Sequence, residues 1–165
     1  MTASEPAWQI VEYRGRAGLV RLEADWRRLY AAMPQRTGFH AYEAHLAYVD
    51  HLMAVPDELR CFALTDGQQV RAICLLEAET DRVVWRPIHV WRMPFLPHMW
   101  LRDVIGPEDD ARRELIPALV GHLRHAQEGP PLLYLGPLPE TSVVWDGVRE
   151  LDKRQHCISA AGVMK

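Results

Sequence analysis

Residues Leu59 to Glu77 read LRCFALTDGQQVRAICLLE. Two apolar, β-rich runs, Leu59 to Thr65 and Gln69 to Glu77, flank Asp66-Gly67. Asp-Gly between such runs is a hairpin signal, because both central residues of a type I′ turn need positive φ. Apolar residues occupy both alternations of the first strand, Cys61 and Ala63 on one and Phe62 and Leu64 on the other. A strand that is apolar on both faces is buried on both, so helices are expected on the two sides of the sheet. One turn geometry sets Cys61 opposite Cys74. The expected reading of the two is still buried small hydrophobes and not a redox pair.

Working outward, Arg82 to Arg92 reads as a third strand of this meander, with Pro87 marking a bulge or an edge position. Met93 to Pro97 is a Pro-containing turn, His98 to Ile105 a further extended segment, and Gly106-Pro107 its end. On the N-terminal side, Trp8 to Arg14 is a first strand, after which Gly15 and Gly18 break the pattern. Leu19, Leu22, Trp26, Leu29, Tyr30 and Met33 share one helical face, which predicts a single amphipathic helix stopped by Pro34. Thr37 is the expected N-cap of a second helix, with Phe39, Tyr42, Leu46, Val49 and Met53 as its stripe and Pro56 at its end.

Beyond the meander, Pro107 to Gln127 is helical. Glu108, Asp109 and Asp110 stand at its start, where the helix dipole favours negative charge. Pro117 is expected to kink this helix or divide it. Leu132 to Leu135 reads as a short buried strand. Glu140 to Leu151 is a last helix, capped by Thr141 or Ser142, with Trp145, Val148 and Leu151 inward. A further strand is expected over Gln155 to Ser159.

The totals fit one domain, 1–165. The 165 residues are 48% hydrophobic and 25% charged, ordinary for a globular chain with a single core. A net charge of −3 argues against nucleic acid, which needs a basic face to neutralise phosphates. No run of about 18 apolar residues is present, so no membrane span is expected. The start, MTASEPAWQ, lacks the basic-then-apolar order of a secretory signal. Three cysteines without close spacing suggest reduced thiols and a cytoplasmic address.

Candidate chemistry gathers in Arg82 to Asp103, RVVWRPIHVWRMPFLPHMWLRD, which holds three of the six tryptophans and two of the eight histidines. Large aromatic and cationic side chains in a Pro-punctuated segment suit a binding wall. Taken one at a time, Trp85, Trp91 and Trp100 are expected in the core, since aromatics dominate core energetics. His98, Arg102 and Asp103 crowd a strand end after a Pro turn. An Asp beside Arg and His can hold an imidazole in one tautomer and so tune a general base. The competing reading of that group is a salt-bridged strand end. His40, His45 and His51 do not share a helical face at spacings of five and six, whereas His122 and His125 do. Neither set carries the Cys or carboxylate complement of a zinc site, so no metal is expected. No nucleophile elbow, Walker loop or dinucleotide fingerprint occurs.

The element order is strand, two helices, three-strand meander, helix, strand, helix, strand. It resembles the GNAT N-acyltransferase fold, an α/β fold with a mixed central sheet and helices on both faces. ADWRRLYAA (Ala24 to Ala32) followed by TGFHAYEAHLAYVDHL (Thr37 to Leu52) is similar to the opening of FemAB-like and cellulose-biosynthesis-type acetyltransferases. MPFLPHMWLRDVIGPED (Met93 to Asp109) resembles their segment leading to a D-x-[IL] motif, and Asp103 matches its acid.

The resemblance implies acyl transfer to an amine or hydroxyl, with acetyl-CoA or another acyl-CoA as donor. His98 and Asp103 would be catalytic, and Trp85, Arg86, Trp100 and Arg102 would line the acceptor pocket. The chain departs from the family where the pyrophosphate of acyl-CoA is bound. The Q/R-x-x-G-x-G/A loop is absent from Met93 to Asp110, and the three acids there would repel phosphate. FemAB-like proteins carry two GNAT-like domains, with the donor site mainly in the second. The expectation is therefore a degenerate first domain that binds no acyl-CoA alone and works with a second GNAT-like domain or a homo-oligomer partner. The alternatives are a non-catalytic interaction domain with a Trp/Arg-rich surface, and an unusual acyltransferase complete in one domain.

Overall fold

The computed structural model describes residues 7–83, 86–94, 103–125 and 132–153. Among the described residues the sheet has five strands: β1 (Gln9–Arg14), β2 (Leu59–Thr65), β3 (Val70–Val83), β4 (Arg86–Arg92) and β5 (Leu132–Tyr134). They lie in the order β1-β2-β3-β4-β5. The first three pairings are antiparallel, and β4 pairs with β5 in parallel. Sequential antiparallel strands need only short links, whereas the parallel pair needs a crossover. That crossover carries helix α4 (Asp110–His125).

The two-sided apolar pattern of β2 and β3 is realised as two separate cores. On one face Cys61, Ala63, Ile73 and Leu75 meet Leu19, Leu22, Trp26, Leu29 and Val49. These come from α1 (Gly15–Arg21), α2 (Glu23–Ala32) and α3 (Tyr42–His51), with Leu22 at the junction of the first two. On the other face Phe62, Leu64, Ala72, Cys74 and Leu76 meet Leu115, Ile116, Leu119 and Leu123 of α4 and Val144 and Leu151 of α5 (Val144–Lys153). Trp91 is buried in this second core and meets Phe62 edge-on, with centroids 6.2 Å apart, so its role is packing.

The cysteines follow from the same alternation. Cys61 pairs across the strands with Leu75, and Cys74 with Phe62, so the two thiols lie on opposite faces of the sheet and cannot form a pair. Burial pushes the Cys61 thiol up to about 12 and raises that of Cys74 as well, which leaves both inert.

Several local expectations are corrected. Gly15 and Gly18 do not precede the first helix but belong to it. Gly15, at φ +60, makes the turn out of β1. A Cβ on Gly18 would come within 2.8 Å of the Tyr13 backbone, so the helix packs this closely on β1 only without a side chain there. The single amphipathic helix is two helices that meet at Leu22. Thr37 caps one 3-10 turn (Gly38–His40), because His40 accepts the Thr37 N–H at Nδ1, 3.1 Å away, and the α-helix starts later at Tyr42. Its buried stripe is Tyr42, His45, Tyr48 and Val49, while Phe39 is exposed.

The β2–β3 link is not a two-residue turn. Thr65 pairs with Val70, and Asp66 Oδ1 accepts the Gln68 and Gln69 N–H groups, so the carboxylate closes a four-residue loop. Arg82 belongs to β3 and not to the third strand of the meander. Pro87 stays in register opposite Arg82 and lies beyond the reach of β5, which pairs only with Val90 to Arg92. Helix α4 is not divided at Pro117. The β5 strand is not buried, since Leu132 and Tyr134 are exposed. Residues 155–159, expected as a strand, lie outside the described residues.

Candidate acceptor site

The site sits where β4 leaves β3. Arg92 stands opposite Glu77, and continuing that register would bring residue 96 opposite Ile73. Ile105 stands there instead, with both Ile73–Ile105 backbone hydrogen bonds formed at 2.8 and 2.9 Å. The register along β3 thus jumps by nine positions between Arg92 and Ile105. Of the twelve residues between them the structure describes the two ends, Met93–Pro94 and Asp103–Val104.

Asp103 is anchored from three directions. Its side chain is buried and forms an ion pair with the buried Arg112 of α4. Its Oδ1 accepts the Val104 N–H at 2.8 Å and the Ser142 hydroxyl at 3.0 Å. Arg112 also donates to Glu108, 2.9 Å, and to the Gly106 carbonyl, 3.3 Å. Burial pushes the Asp103 carboxyl above its ordinary value, and Arg112 is the main opposing influence. A buried pair with this many additional hydrogen bonds fixes geometry, since removing one partner would strand a charge. Arg112 falls on the apolar stripe Leu115, Ile116, Leu119 of its helix, which is the sequence signal that could have identified it.

A cavity of ≈ 20 Å³, room for about one water, lies beside this anchor. Its wall consists of Trp26, His45, Ile73, Leu75, Met93, Pro94, Asp103 and Ile105. His45 is buried, and its Nδ1 lies 3.2 Å from the Ala41 carbonyl one turn back. A carbonyl only accepts, so Nδ1 carries the proton and Nε2 is a bare acceptor. No described residue hydrogen-bonds that Nε2. Burial lowers the His45 pKa to about 4, so the ring is neutral at physiological pH. Trp26 contributes only its ring, because its indole N–H is donated to the His40 carbonyl at 2.9 Å. Two residues beyond Leu75 on the same face, Glu77 accepts the Tyr48 hydroxyl at 2.9 and 3.1 Å.

The sequence-derived site is described in part. Asp103 lines the cavity. His98, Trp85, Trp100 and Arg102 lie outside the described residues. Arg86 opens β4, and its side chain lies outside the described residues too. The sequence reading missed His45, although its spacing from Tyr42 and Val49 places it on the inward stripe of α3. Among the described residues no group of three or more His, Cys, Asp or Glu is placed to hold a metal ion.

The start of α4 is a poor fit for a pyrophosphate. Asp109 Oδ1 already accepts the Arg112 N–H at 3.2 Å, and Asp109 Oδ2 meets Arg71 at 3.3 Å. Asp110 pairs with Arg113. The helix end that would meet a phosphate is thus lined by its own carboxylates, which take up first-turn donors and oppose an anion.

No family model matches the chain, and no curated protein matches its sequence. Solved structures do match. An aminoglycoside acetyltransferase from an uncultured soil metagenomic sample, in complex with trehalose, superposes with a TM-score of 0.51 at 10% identity. The match covers 98% of this chain and 95% of that one. A possible acetyltransferase from Clostridium difficile 630 gives a TM-score of 0.50 at 11% identity, over 96% and 95% of the two chains. At such identities the likeness concerns the backbone alone. With its mixed five-stranded sheet and helices on both faces, the chain has the GNAT-like α/β fold.

Proposed function

We propose that this chain is a GNAT-like acyltransferase domain of the FemAB-like kind, in which the cavity beside His45 and Asp103 takes the acyl acceptor. The acceptor class is an amine or hydroxyl. The observation that carries the reading is the cavity itself, where His45 and Asp103 stand in an otherwise apolar wall beside the Ile73–Ile105 bridge. The self-capped start of α4 argues that this chain alone holds no acyl-CoA. The donor is then supplied by a second GNAT-like domain or by another protomer. His98, Trp85, Arg86, Trp100 and Arg102 remain the proposed lining, and no step is assigned to them.

The test is a calorimetric titration of the 165-residue chain with acetyl-CoA. The expected result is no saturable heat at micromolar concentration. Micromolar binding would overturn the claim and favour an acyltransferase complete in one domain, a reading that draws support from the nearly full-length overlap with solved acetyltransferases.

A second reading, a non-catalytic interaction domain, is favoured by one observation. Among the described residues the sheet ends at β5, with Leu132 and Tyr134 exposed, and the Arg92 guanidinium lies over the Tyr134 ring at 5.9 Å. Exposed aromatics next to arginine are frequent interface anchors. Solution scattering that gives a dimer mass, with loss of dimerisation in Tyr134→Lys, would favour it.

A further inference from the structure

Thr37-Gly38-Phe39-His40 forms a capping box around the 3-10 turn between α2 and α3. In such a box the side chain three residues after the cap reaches back to the cap's own N–H, and the usual residue there is Glu or Gln. Here it is a histidine. The Thr37 N–H is donated to His40 Nδ1 at 3.1 Å, and the Thr37 hydroxyl lies 3.2 Å from the same nitrogen. A backbone N–H only donates, so Nδ1 is bare and the ring proton sits on Nε2. That Nε2 is buried and has no hydrogen-bond partner among the described residues. An imidazolium carries a proton on both nitrogens and accepts nowhere, so the box and a protonated His40 exclude each other.

The surroundings act in the same sense. Burial, and after it the charge of Arg112 on α4, hold the His40 pKa below its ordinary value. The Arg112 charge is answered by Asp103 and Glu108. The other titratable group that bears on the ring, His45 of α3, is itself neutral at physiological pH. The turn is also a hub for its neighbours. The Thr37 carbonyl accepts the Tyr30 hydroxyl at 3.2 Å and the His40 carbonyl accepts the Trp26 indole N–H at 2.9 Å. The Ala41 carbonyl accepts from His45 Nδ1 at 3.2 Å.

We propose that Thr37 to Ala41 is an acid-released clasp: protonation of His40 undoes the capping box, and the turn then lets go of Trp26 on α2 and of His45 on α3. Both side chains belong to the wall of the cavity, so the clasp governs the shape of that wall. The inference needs no acyl chemistry and stands apart from the acyltransferase reading. The sign follows from linkage. The open turn binds a proton that the closed turn refuses, so the clasp is closed above pH 6.5 and opens as pH falls below it.

The experiment is NMR hydrogen exchange of the Trp26 indole N–H in the full chain, from pH 7.5 to pH 5.5, against His40→Gln. Glutamine accepts the Thr37 N–H without titrating, and dividing the two rates at each pH removes the intrinsic pH dependence of exchange. The wild-type rate over the His40→Gln rate should rise about tenfold across this range, the response of one proton. The Phe62 and Cys74 amides should show no such rise. His40→Phe, which accepts at no pH, should exchange fast throughout, with circular dichroism confirming that both variants fold. The 15N spectrum of the His40 ring at pH 7.5 should show a bare Nδ1 and a protonated Nε2. A flat ratio, a rise shared by Phe62 and Cys74, or the opposite tautomer overturns the proposal.

Discussion

At the scale of single residues, the site is built from polar side chains held on apolar stripes. Arg112 occupies a core-facing position of α4 and His45 one of α3, and burial of both is what makes them informative. For His45 this has a consequence for stability. Its pKa is about 4 in the folded chain against an ordinary 6.5. Between those values the unfolded chain binds a proton that the folded chain does not. Folding is therefore fully favoured above pH 6.5 and loses stability as pH falls toward 4. The shift corresponds to about 3 kcal/mol. His40, also lowered by burial, acts in the same direction. Urea unfolding at pH 7 and at pH 4.5 should show a larger loss for the wild type than for His45→Gln. Equal losses would mean that His45 is not buried in its neutral form. The candidate site was legible only in part, and for a physical reason. Asp103 was read through its neighbours His98 and Arg102, yet its charge partner is Arg112 on the next helix. Chain proximity does not reveal which cation a buried carboxylate meets across a turn.

At the scale of elements, periodicity carried most of the information, and the failures lie where a side chain replaces a backbone device. The β2 boundaries follow directly from the alternation LRCFALT. The turn after it does not, because the Asp66 carboxylate organises four residues where Asp-Gly alone suggested two. Pro117 is the clearest case. It has no N–H, so the Arg113 carbonyl one turn back lacks its helical partner. Helix α5 brings Gly147 against that carbonyl, and a Cβ there would lie 2.1 Å from it. The proline is tolerated within one helix because its neighbour is a glycine that can approach the exposed backbone. Gly147→Ala raises intrinsic helix propensity by about 1 kcal/mol, but the contact forces α4 and α5 apart. The expected net effect is a destabilisation of about 1–3 kcal/mol, read as a lower urea midpoint at unchanged slope. A stabilised variant would show that α5 is free to shift.

At the scale of the whole molecule, stability should follow how the sheet is covered. The inner strands β2 and β3 carry Phe62, Ala63, Leu64 and Ala72 to Leu76 between two helical layers, and each of these residues is buried. The β5 strand is attached by three register pairs, Val90 to Arg92 with Leu132 to Tyr134, and its outer residues face solvent. The far end of β3 and the start of β4 pair with each other but have no β5 beside them. Opening free energies rise with buried contacts and fall toward edges. Native-state hydrogen exchange should therefore find the slowest amides at residues 61–64 and 72–76, and much faster ones at 132–134. The Ile73–Ile105 bridge predicts that Ile105 exchanges with the slow group. A fast Ile105 would mean that the cavity wall opens independently of the sheet. Protection of Leu132 to Tyr134 equal to that of β2 would mean that this edge is covered, by residues outside the described ones or by a second chain. Protection that falls on dilution would single out the second chain, and the acyl-acceptor reading would then have to accommodate a partner on the side of the sheet where β4 meets β5.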